Sequence, residues 1–529
     1  MNSIKKIWSG SNISLIIGIA ILLAYSAYYI ILNSYIIDGV RYYSLFDDAM
    51  VSMRYAENIA NGQGPVWNPG GDAVEGFSNP LWTYIMALVH LLPIAKAQIS
   101  LVMQISVVVI LGLNLYFIKK SMGLLSGNNV IITGSAVILT ACYLPLNNWA
   151  IQGMEVSLIA LILSAGFYIT LKNLNGNKFS HLQLILPAIA IWVRMDAVLI
   201  YLVFFVFLYS FDKENRRIIF RTGILSLIIS LAILFIWRNY YFGEWLPNTY
   251  YLKMTGYPLL NRLGKGFYAF AKFMLYMTPI IFALPFWLYF KTKKTFLLLP
   301  LSIMLIMILY SIYVGGDSWE WWLPANRFIS SAMPLFIIMV CLTIRYIIAI
   351  FEHKGKIKKA RANTIFIILI FISILAFNFN SWEYLKGELL LTKTFTEKDN
   401  SNQTRLALEA KKILKKDAEA AVAMAGVLPY FLERRCIDLL GKNDKAIARM
   451  PVFIDSSLSY LNYNPGHMKW NYSYSIGKLN PDAVLQLWNN PITAMPYLSD
   501  DYIAVELAGF NVFLRKGSEK IRWEKIGKF

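Results

Sequence analysis

Acidic residues capable of chemistry gather in one long segment between the first two apolar stretches. The segment spans 38–95, and its centre reads FDDAMVSMRYAENIANGQGPVWNPGGDAVEGFSNPLW. Asp47 and Asp48 stand where a short amphipathic helix is predicted to begin, a favourable place for carboxylates because the amino end of a helix is partly positive. Capping that helix is the simpler role for an isolated Asp-Asp pair. The same segment also holds Arg54, Glu57, Asp72 and Glu75, more ionisable groups than a connector needs.

Later polar segments supply cations and further carboxylates. Their candidate residues are Glu155 in NNWAIQGMEV, Arg194 and Asp196 in WVRMDA, Arg238, Asn248, Tyr251 and Lys253 in RNYYFGEWLPNTYYLK, and Asp317 and Arg327 in GGDSWEWWLPANRF. Structural roles are available for several of them, because Glu155 could simply begin a helix and Arg194 could pair with Asp196.

The composition requires a membrane to hold these segments. Of the 529 residues, 57% are hydrophobic and only 15% are charged, whereas soluble chains usually carry charge on about a quarter of their residues. The net charge of +19 arises from short Lys/Arg clusters between apolar stretches, a pattern typical of cytoplasmic loops and not of nucleic-acid binding. Three cysteines define no disulfide framework.

Eleven membrane-spanning helices are predicted from apolar stretches of about twenty residues. They cover approximately 12–33, 98–118, 129–146, 153–172, 182–194, 197–211, 219–238, 266–290, 295–313, 328–350 and 363–380. The basic clusters, from Lys5 and Lys6 to the run 353–361, then share the cytoplasmic side. The stretch 80–92 is predicted to be an interfacial helix anchored by Trp82 and Tyr84.

An odd number of spans leaves the carboxy terminus outside the cytoplasm. Residues 1–380 are therefore predicted to form the membrane domain, with the loop 34–97 on its outer side, and residues 381–529 a soluble α/β domain in the periplasm or extracellular space. The membrane itself is expected to be the bacterial cytoplasmic membrane.

The chemistry that fits acids, cations and aromatics at an outer membrane surface is glycosyl transfer from a lipid-phosphate sugar. A carboxylate can accept the proton of an acceptor hydroxyl while Arg and Lys offset the charge of the departing phosphate. A transporter or flippase of lipid-linked sugars is the alternative, although it would need ionisable residues deep in the bilayer.

The motif in the first long loop resembles the GT-C superfamily of polyprenyl-phosphate-sugar-dependent glycosyltransferases, most closely bacterial terminal arabinofuranosyltransferases. That family's acidic pair and its pattern RYAxNxxxGxGxVxNPGxxxEGFxxxLW stand here from Asp47 to Trp82. The resemblance extends to 153–155, 238–253, 315–317 with Arg327, DLLGKND at 438–444 and PGHMK at 465–469. Two departures are the extra glycine in PGGDAVEGF and the Trp-rich GGDSWEWWLPANRF, so sugar and acceptor could differ from arabinose and arabinan.

The resemblance implies an inverting transferase with Asp47 as general base and Asp48 beside it. It implies a polyprenyl-phosphate sugar as donor and a cell-envelope glycan or glycolipid as acceptor. We expect donor phosphate contacts from Arg54, Arg194, Arg238, Lys253 and Arg327, and substrate contacts from Glu75, Trp82, Glu155, Asn248, Tyr251, Asp317 and His467. No cofactor is required by the sequence, although Asp47, Asp48 and Glu155 have the hard oxygen ligands that Mg²⁺ or Mn²⁺ would accept.

Overall fold

A computed structural model describes residues 10–176, 178–320, 323, 325–379, 381–452 and 463–526. The helices that correspond to the predicted spans are α1 (Gly10–Leu32), α4 (Lys96–Ser126), α5 (Val130–Ala141) with α6 (Leu144–Ile151), α7 (Val156–Asn175), α8 (Leu182–Val193), α9 (Val198–Phe211), α10 (Arg216–Phe242), α12 (Leu259–Met277) with α13 (Pro279–Thr292), α14 (Leu298–Val314), α16 (Met333–His353) and α17 (Lys359–Asn378).

Within the described residues, seven helices are long and apolar enough to cross a membrane, or nine if each of two bent pairs is one span. The bent pairs are α5 with α6, at 46°, and α12 with α13, at 89°. The two remaining predicted spans correspond to the shorter apolar helices α8 and α9. The chain is therefore a polytopic helical membrane protein. The predicted cluster at Lys5 and Lys6 lies outside the described residues.

The loop between α1 and α4 carries two short strands and two helices besides its irregular segments. A hairpin of β1 (Tyr35–Ile37) and β2 (Val40–Tyr42) is followed by α2 (Asp47–Ala60) and α3 (Pro80–His90). Trp82 in α3 is completely buried and its indole N–H donates to the Gly153 carbonyl at 2.8 Å. The predicted headgroup anchor is therefore wrong for Trp82, because this ring fills the protein core. Tyr84 is partly exposed and accepts a hydrogen bond from Trp237.

The carboxy-terminal part is a mixed α/β domain. Helices α18 (Trp382–Glu388) and α19 (Phe395–Ile413) lead into a five-stranded sheet of β3 (Glu419–Val422), β4 (Arg435–Asp438), β5 (Ala483–Val484), β6 (Tyr502–Leu507) and β7 (Phe510–Arg515). The sheet order is β4-β3-β5-β7-β6, with parallel pairs around β3 and antiparallel pairs around β7. Between β3 and β4 lies α20 (Val427–Leu432), and α21 (Lys445–Arg449) follows β4.

This domain packs directly onto the loops between the membrane helices. Arg54 of α2 donates to the carbonyls of Pro429 and Arg434, and Asn248, at the start of α11 (Asn248–Met254), donates to the Gly441 carbonyl at 2.9 Å. Gly76 leaves no room for a side chain, because an added Cβ would lie 1.9 Å from Asn443 Oδ1. The domain and the loops therefore share one packed interface, which we call the domain face of the bundle.

Candidate functional site

Asp48 is the centre of an ion cluster at the domain face. Its two carboxylate oxygens face different cations: Lys442 Nζ contacts Oδ1, and Arg327 Nη1 lies 2.9 Å from Oδ2. The Arg327 guanidinium also donates two hydrogen bonds to the Asp317 carboxylate, at 2.7 and 2.8 Å. These cations hold the pKa of the Asp48 carboxyl well below its usual value against the opposing effect of burial. Asp48 is therefore an ionised, paired carboxylate.

Asp47 has a different environment although it is the next residue. Its carboxylate oxygen Oδ1 accepts the Val427 backbone N–H at 2.9 Å, and Gly426 packs so closely that an added Cβ would lie 2.0 Å from the Asp47 carbonyl oxygen. Burial raises the pKa of the Asp47 carboxyl to about 7, with Lys442 acting in the opposite direction. The two neighbouring carboxyl groups therefore have different pKa values. With such a difference, one carboxyl can exchange a proton near neutral pH while the other stays charged.

A small cavity joins these two carboxylates to the C-terminal domain. Its lining includes Asp47 and Asp48 from α2, Lys253 from α11, Arg327 from α15 (Arg327–Ser330), and Lys442 and His467 from the C-terminal domain. Burial lowers the pKa of Lys253 to about 8, although the Asp48 charge opposes that shift. Burial also lowers the pKa of His467 to about 4, so its imidazole is neutral at pH 7.

A second cavity lies on the other side of Asp48 and Lys442. It is lined by Asp48, Ser52, Asn79, Glu155, Arg194, Lys253, Arg327 and Lys442, among others. Glu155 links its walls, because Arg194 Nη1 and Asn79 Nδ2 each lie 2.9 Å from its carboxylate. The Arg194–Asp196 ion pair expected from the sequence is also present, at 3.0 Å. Asp48, Lys253, Arg327 and Lys442 therefore form a shared wall between two cavities.

Several predicted contact residues lie away from this wall and have structural partners. Arg238 and Glu75 form a buried ion pair with distances of 2.5 and 3.0 Å, and the Arg54 guanidinium binds backbone carbonyls and stacks over Trp67. Asn248 donates to a carbonyl of the C-terminal domain, and Tyr251 lies under the Arg449 guanidinium. None of these side chains lines either of the two cavities that contain Asp48.

Lys442 is the principal site residue that the sequence did not single out. The motif DLLGKND was noted as a unit, but nothing in its spacing predicted that its lysine would reach a carboxylate 394 positions earlier in the chain. The loop is held by Asp438, whose carboxylate accepts the backbone N–H groups of Leu440 and Asn443 at 3.0 and 2.7 Å. Asp438 thereby positions the lysine.

The sequence suggested a metal site among the acidic groups. Among the described residues, no group of three or more His, Cys, Asp or Glu side chains has a geometry suited to hold a metal ion. Glu155, expected as a third oxygen ligand, is paired with Arg194 and Asn79. A metal site at Asp47, Asp48 and Glu155 stays a prediction.

Comparisons with known proteins support the fold assignment. The chain is similar to ArnT from Cupriavidus metallidurans bound to undecaprenyl phosphate, at 11% identity and a TM-score of 0.57, covering 95% of this chain and 98% of that one. It is also similar to the Archaeoglobus fulgidus oligosaccharyltransferase in the apo form, at 11% identity and a TM-score of 0.54, covering 98% and 75%. AglB from Archaeoglobus fulgidus, in complex with an inhibitory peptide and a dolichol-phosphate, matches with a TM-score of 0.53, 11% identity and coverage of 97% and 75%.

Residues 393–522 match a family model described as a domain of unknown function, DUF8728. No curated protein matches the sequence. The similar structures span nearly the whole chain, so both the helical bundle and the C-terminal domain contribute to the likeness. The chain has a GT-C-like fold.

Proposed function

We propose that this protein is an inverting glycosyltransferase that moves a sugar from a polyprenyl-phosphate donor to a cell-envelope glycan or glycolipid. The observation that carries the proposal is the cluster of Asp47, Asp48, Lys253, Arg327 and Lys442 beside two neighbouring cavities. The GT-C-like fold supports it, and so do the polyprenyl phosphates named with two of the similar structures. We further propose that the domain face lies on the periplasmic or extracellular side of a bacterial cytoplasmic membrane.

In this proposal, Asp47 is the general base. A carboxyl group with a pKa of about 7 can take the proton of an acceptor hydroxyl at neutral pH, whereas Asp48 is held as a carboxylate by Arg327 and Lys442. The acceptor oxygen attacks the anomeric carbon as the bond from that carbon to the donor phosphate oxygen breaks. The electron pair of that bond leaves with the polyprenyl phosphate, and the proton goes to Asp47.

Cations beside the cavities would stabilise the departing phosphate. Lys253 and Arg327 line both cavities, and Arg194 lines the second one. Positive groups fixed in a buried site stabilise developing negative charge more strongly than the same groups in water. We therefore assign phosphate binding to Lys253, Arg327 and Arg194. Arg54 and Arg238 do not contact the phosphate in this proposal, because their guanidinium groups already donate hydrogen bonds to protein partners.

The test is turnover by purified protein in nanodiscs with a panel of polyprenyl-phosphate sugars and a mixed cell-envelope glycan acceptor. Transfer by the wild type, with loss of transfer in a folded Asp47→Asn variant, supports the proposal. Equal activity of the variant contradicts the assignment of Asp47. If no donor reacts in a broad panel, the transporter of lipid-linked sugars becomes the better hypothesis.

The aromatic residues Tyr460, Tyr463, Trp470 and Tyr472 predict, from the sequence alone, a surface of the C-terminal domain that binds the acceptor glycan. Tyr463 and Tyr472 are buried, and Trp470 is partly buried against the domain core. These rings therefore stabilise the domain and offer little open surface for stacking. The further aromatic predicted with them, Tyr460, lies outside the described residues.

A further inference from the structure

The groove between α8 and α10 lies apart from the ion cluster and has a different lining. Its cavity volume is about 770 Å³. Most of the lining is apolar, and the side chains of Ile185, Ile189, Leu225 and Ile229 are between 37% and 59% exposed. In a chain that spans a membrane, such an open apolar surface faces hydrocarbon, so the groove is accessible to lipid.

The contacts between the two helices show which end of the groove lies nearer to the domain face. The His181 Nδ1 and Thr222 Oγ1 atoms lie 2.9 Å apart at one end, and the Trp192 indole N–H donates to the Ser230 carbonyl at 3.2 Å further along. Both helices therefore run the same way, and α8 ends just before Arg194 at the second cavity. The end with His181 and Thr222 is thus the end away from the domain face.

Charge is concentrated at that far end. Arg221 lines the groove beside His181 and Thr222, and its side chain is exposed. Lys213, Arg216 and Arg217 precede it in the same short basic run. The remaining groove residues are apolar or carry hydroxyl groups. The groove therefore combines a cationic entrance with an uncharged channel.

We propose that this groove binds an anionic phospholipid from the leaflet opposite the domain face. The headgroup phosphate lies at Arg221 and Thr222, and one acyl chain follows the cleft toward Trp192. The eleven helical steps from residue 181 to residue 192 span about 16 Å, a length that suits part of an acyl chain. The inference does not depend on glycosyl transfer.

A polyprenyl-phosphate donor fits this groove less well. Its phosphate would lie at Arg221, at the end of the bundle away from Asp48 and Lys253. A phospholipid of the opposite leaflet has its charge where the groove has its cation. Charge complementarity therefore favours the phospholipid.

Native mass spectrometry of the full-length protein, titrated with phosphatidylglycerol or phosphatidylcholine, tests the proposal. We expect the wild type to prefer phosphatidylglycerol and Arg221→Gln to weaken that binding about fivefold, since one cation near a lipid surface contributes about 1 kcal/mol. Arg361→Gln is the matched control, because Arg361 is exposed near the start of α17 and does not line the groove.

A second variant examines the apolar part of the groove. Ile189→Trp replaces an aliphatic side chain of the channel by a larger indole ring. This variant should bind less phosphatidylglycerol than the wild type and should unfold at the same temperature. Equal binding by Arg221→Gln and Arg361→Gln would overturn the proposal. Displacement of phosphatidylglycerol by undecaprenyl phosphate, with the same dependence on Arg221, would overturn the choice of a phospholipid.

Discussion

Replacing Asp47 by Asn should lower kcat/KM for sugar transfer by about 10³-fold, within the range that general base catalysis supplies. The amide keeps the size of the side chain and can still accept the Val427 N–H, but it cannot take a proton from the acceptor hydroxyl. Wild-type kcat/KM should rise with pH through about 7, where the Asp47 carboxyl loses its proton, and this rise should be absent in the variant.

The stability of the same variant provides a control for folding. Because the pKa of Asp47 is raised in the folded protein, its contribution to stability is present at low pH and is lost as pH rises through about 7. An Asn at this position has no proton to lose, so the variant does not lose this stability as the pH rises. Above pH 7 its unfolding temperature should therefore be no lower than that of the wild type. Asp72→Asn, at an exposed side chain of the same loop, should leave transfer unchanged. A folded Asp47→Asn protein with wild-type kcat/KM would contradict the assignment.

Replacing Arg327 by Gln should both destabilise the protein and abolish most transfer. Arg327 pairs with Asp48 and Asp317, and the Asp317 side chain is only 1% exposed. The substitution leaves the buried Asp317 carboxylate without its paired cation and leaves Asp48 with Lys442 alone. Breaking a buried ion pair by removing one partner typically costs about 3–5 kcal/mol. Thermal unfolding in detergent measures the loss of stability, and turnover at a temperature where the variant stays folded measures the loss of phosphate stabilisation.

Arg449→Gln is the matched control for Arg327→Gln. Arg449 pairs with Glu244 at 2.7 Å, but both side chains are substantially exposed, at 35% and 27%. An ion pair in that position contributes about 0–1 kcal/mol. Comparable thermal shifts in the two variants would show that the Arg327 cluster does not carry the expected energy.

Much of the fold was predictable because the membrane imposes a simple length rule. Within the described residues, every predicted span corresponds to an apolar helix or a bent helix pair, but the length rule did not predict the bends at 142–143 and at Thr278. Trp82 shows the limit of the rule. An aromatic residue in a short apolar helix has the same pattern whether it lies at the headgroups or, as here, is buried with its N–H bonded to a carbonyl.

The candidate site was predictable only in its local part. Asp47 and Asp48 stood out because ionisable residues are dense around them, but the difference between their pKa values depends on tertiary burial and on Lys442. The buried Arg238–Glu75 pair illustrates the opposite case. The charges of these two residues suggested that they contact substrate. The sequence could not show that they pair with each other, because they are 163 positions apart in the chain.

The contact between Lys442 and Asp48 also bears on how the protein matures. A ribosome makes Asp48 long before Lys442, so a nascent membrane bundle holds this carboxylate without one of its two cations. The cluster can close only after the C-terminal domain has emerged, folded and docked. A truncated or incompletely translated chain would therefore reach the membrane with its ion cluster open, and assembly of the cluster becomes one of the last events in biogenesis.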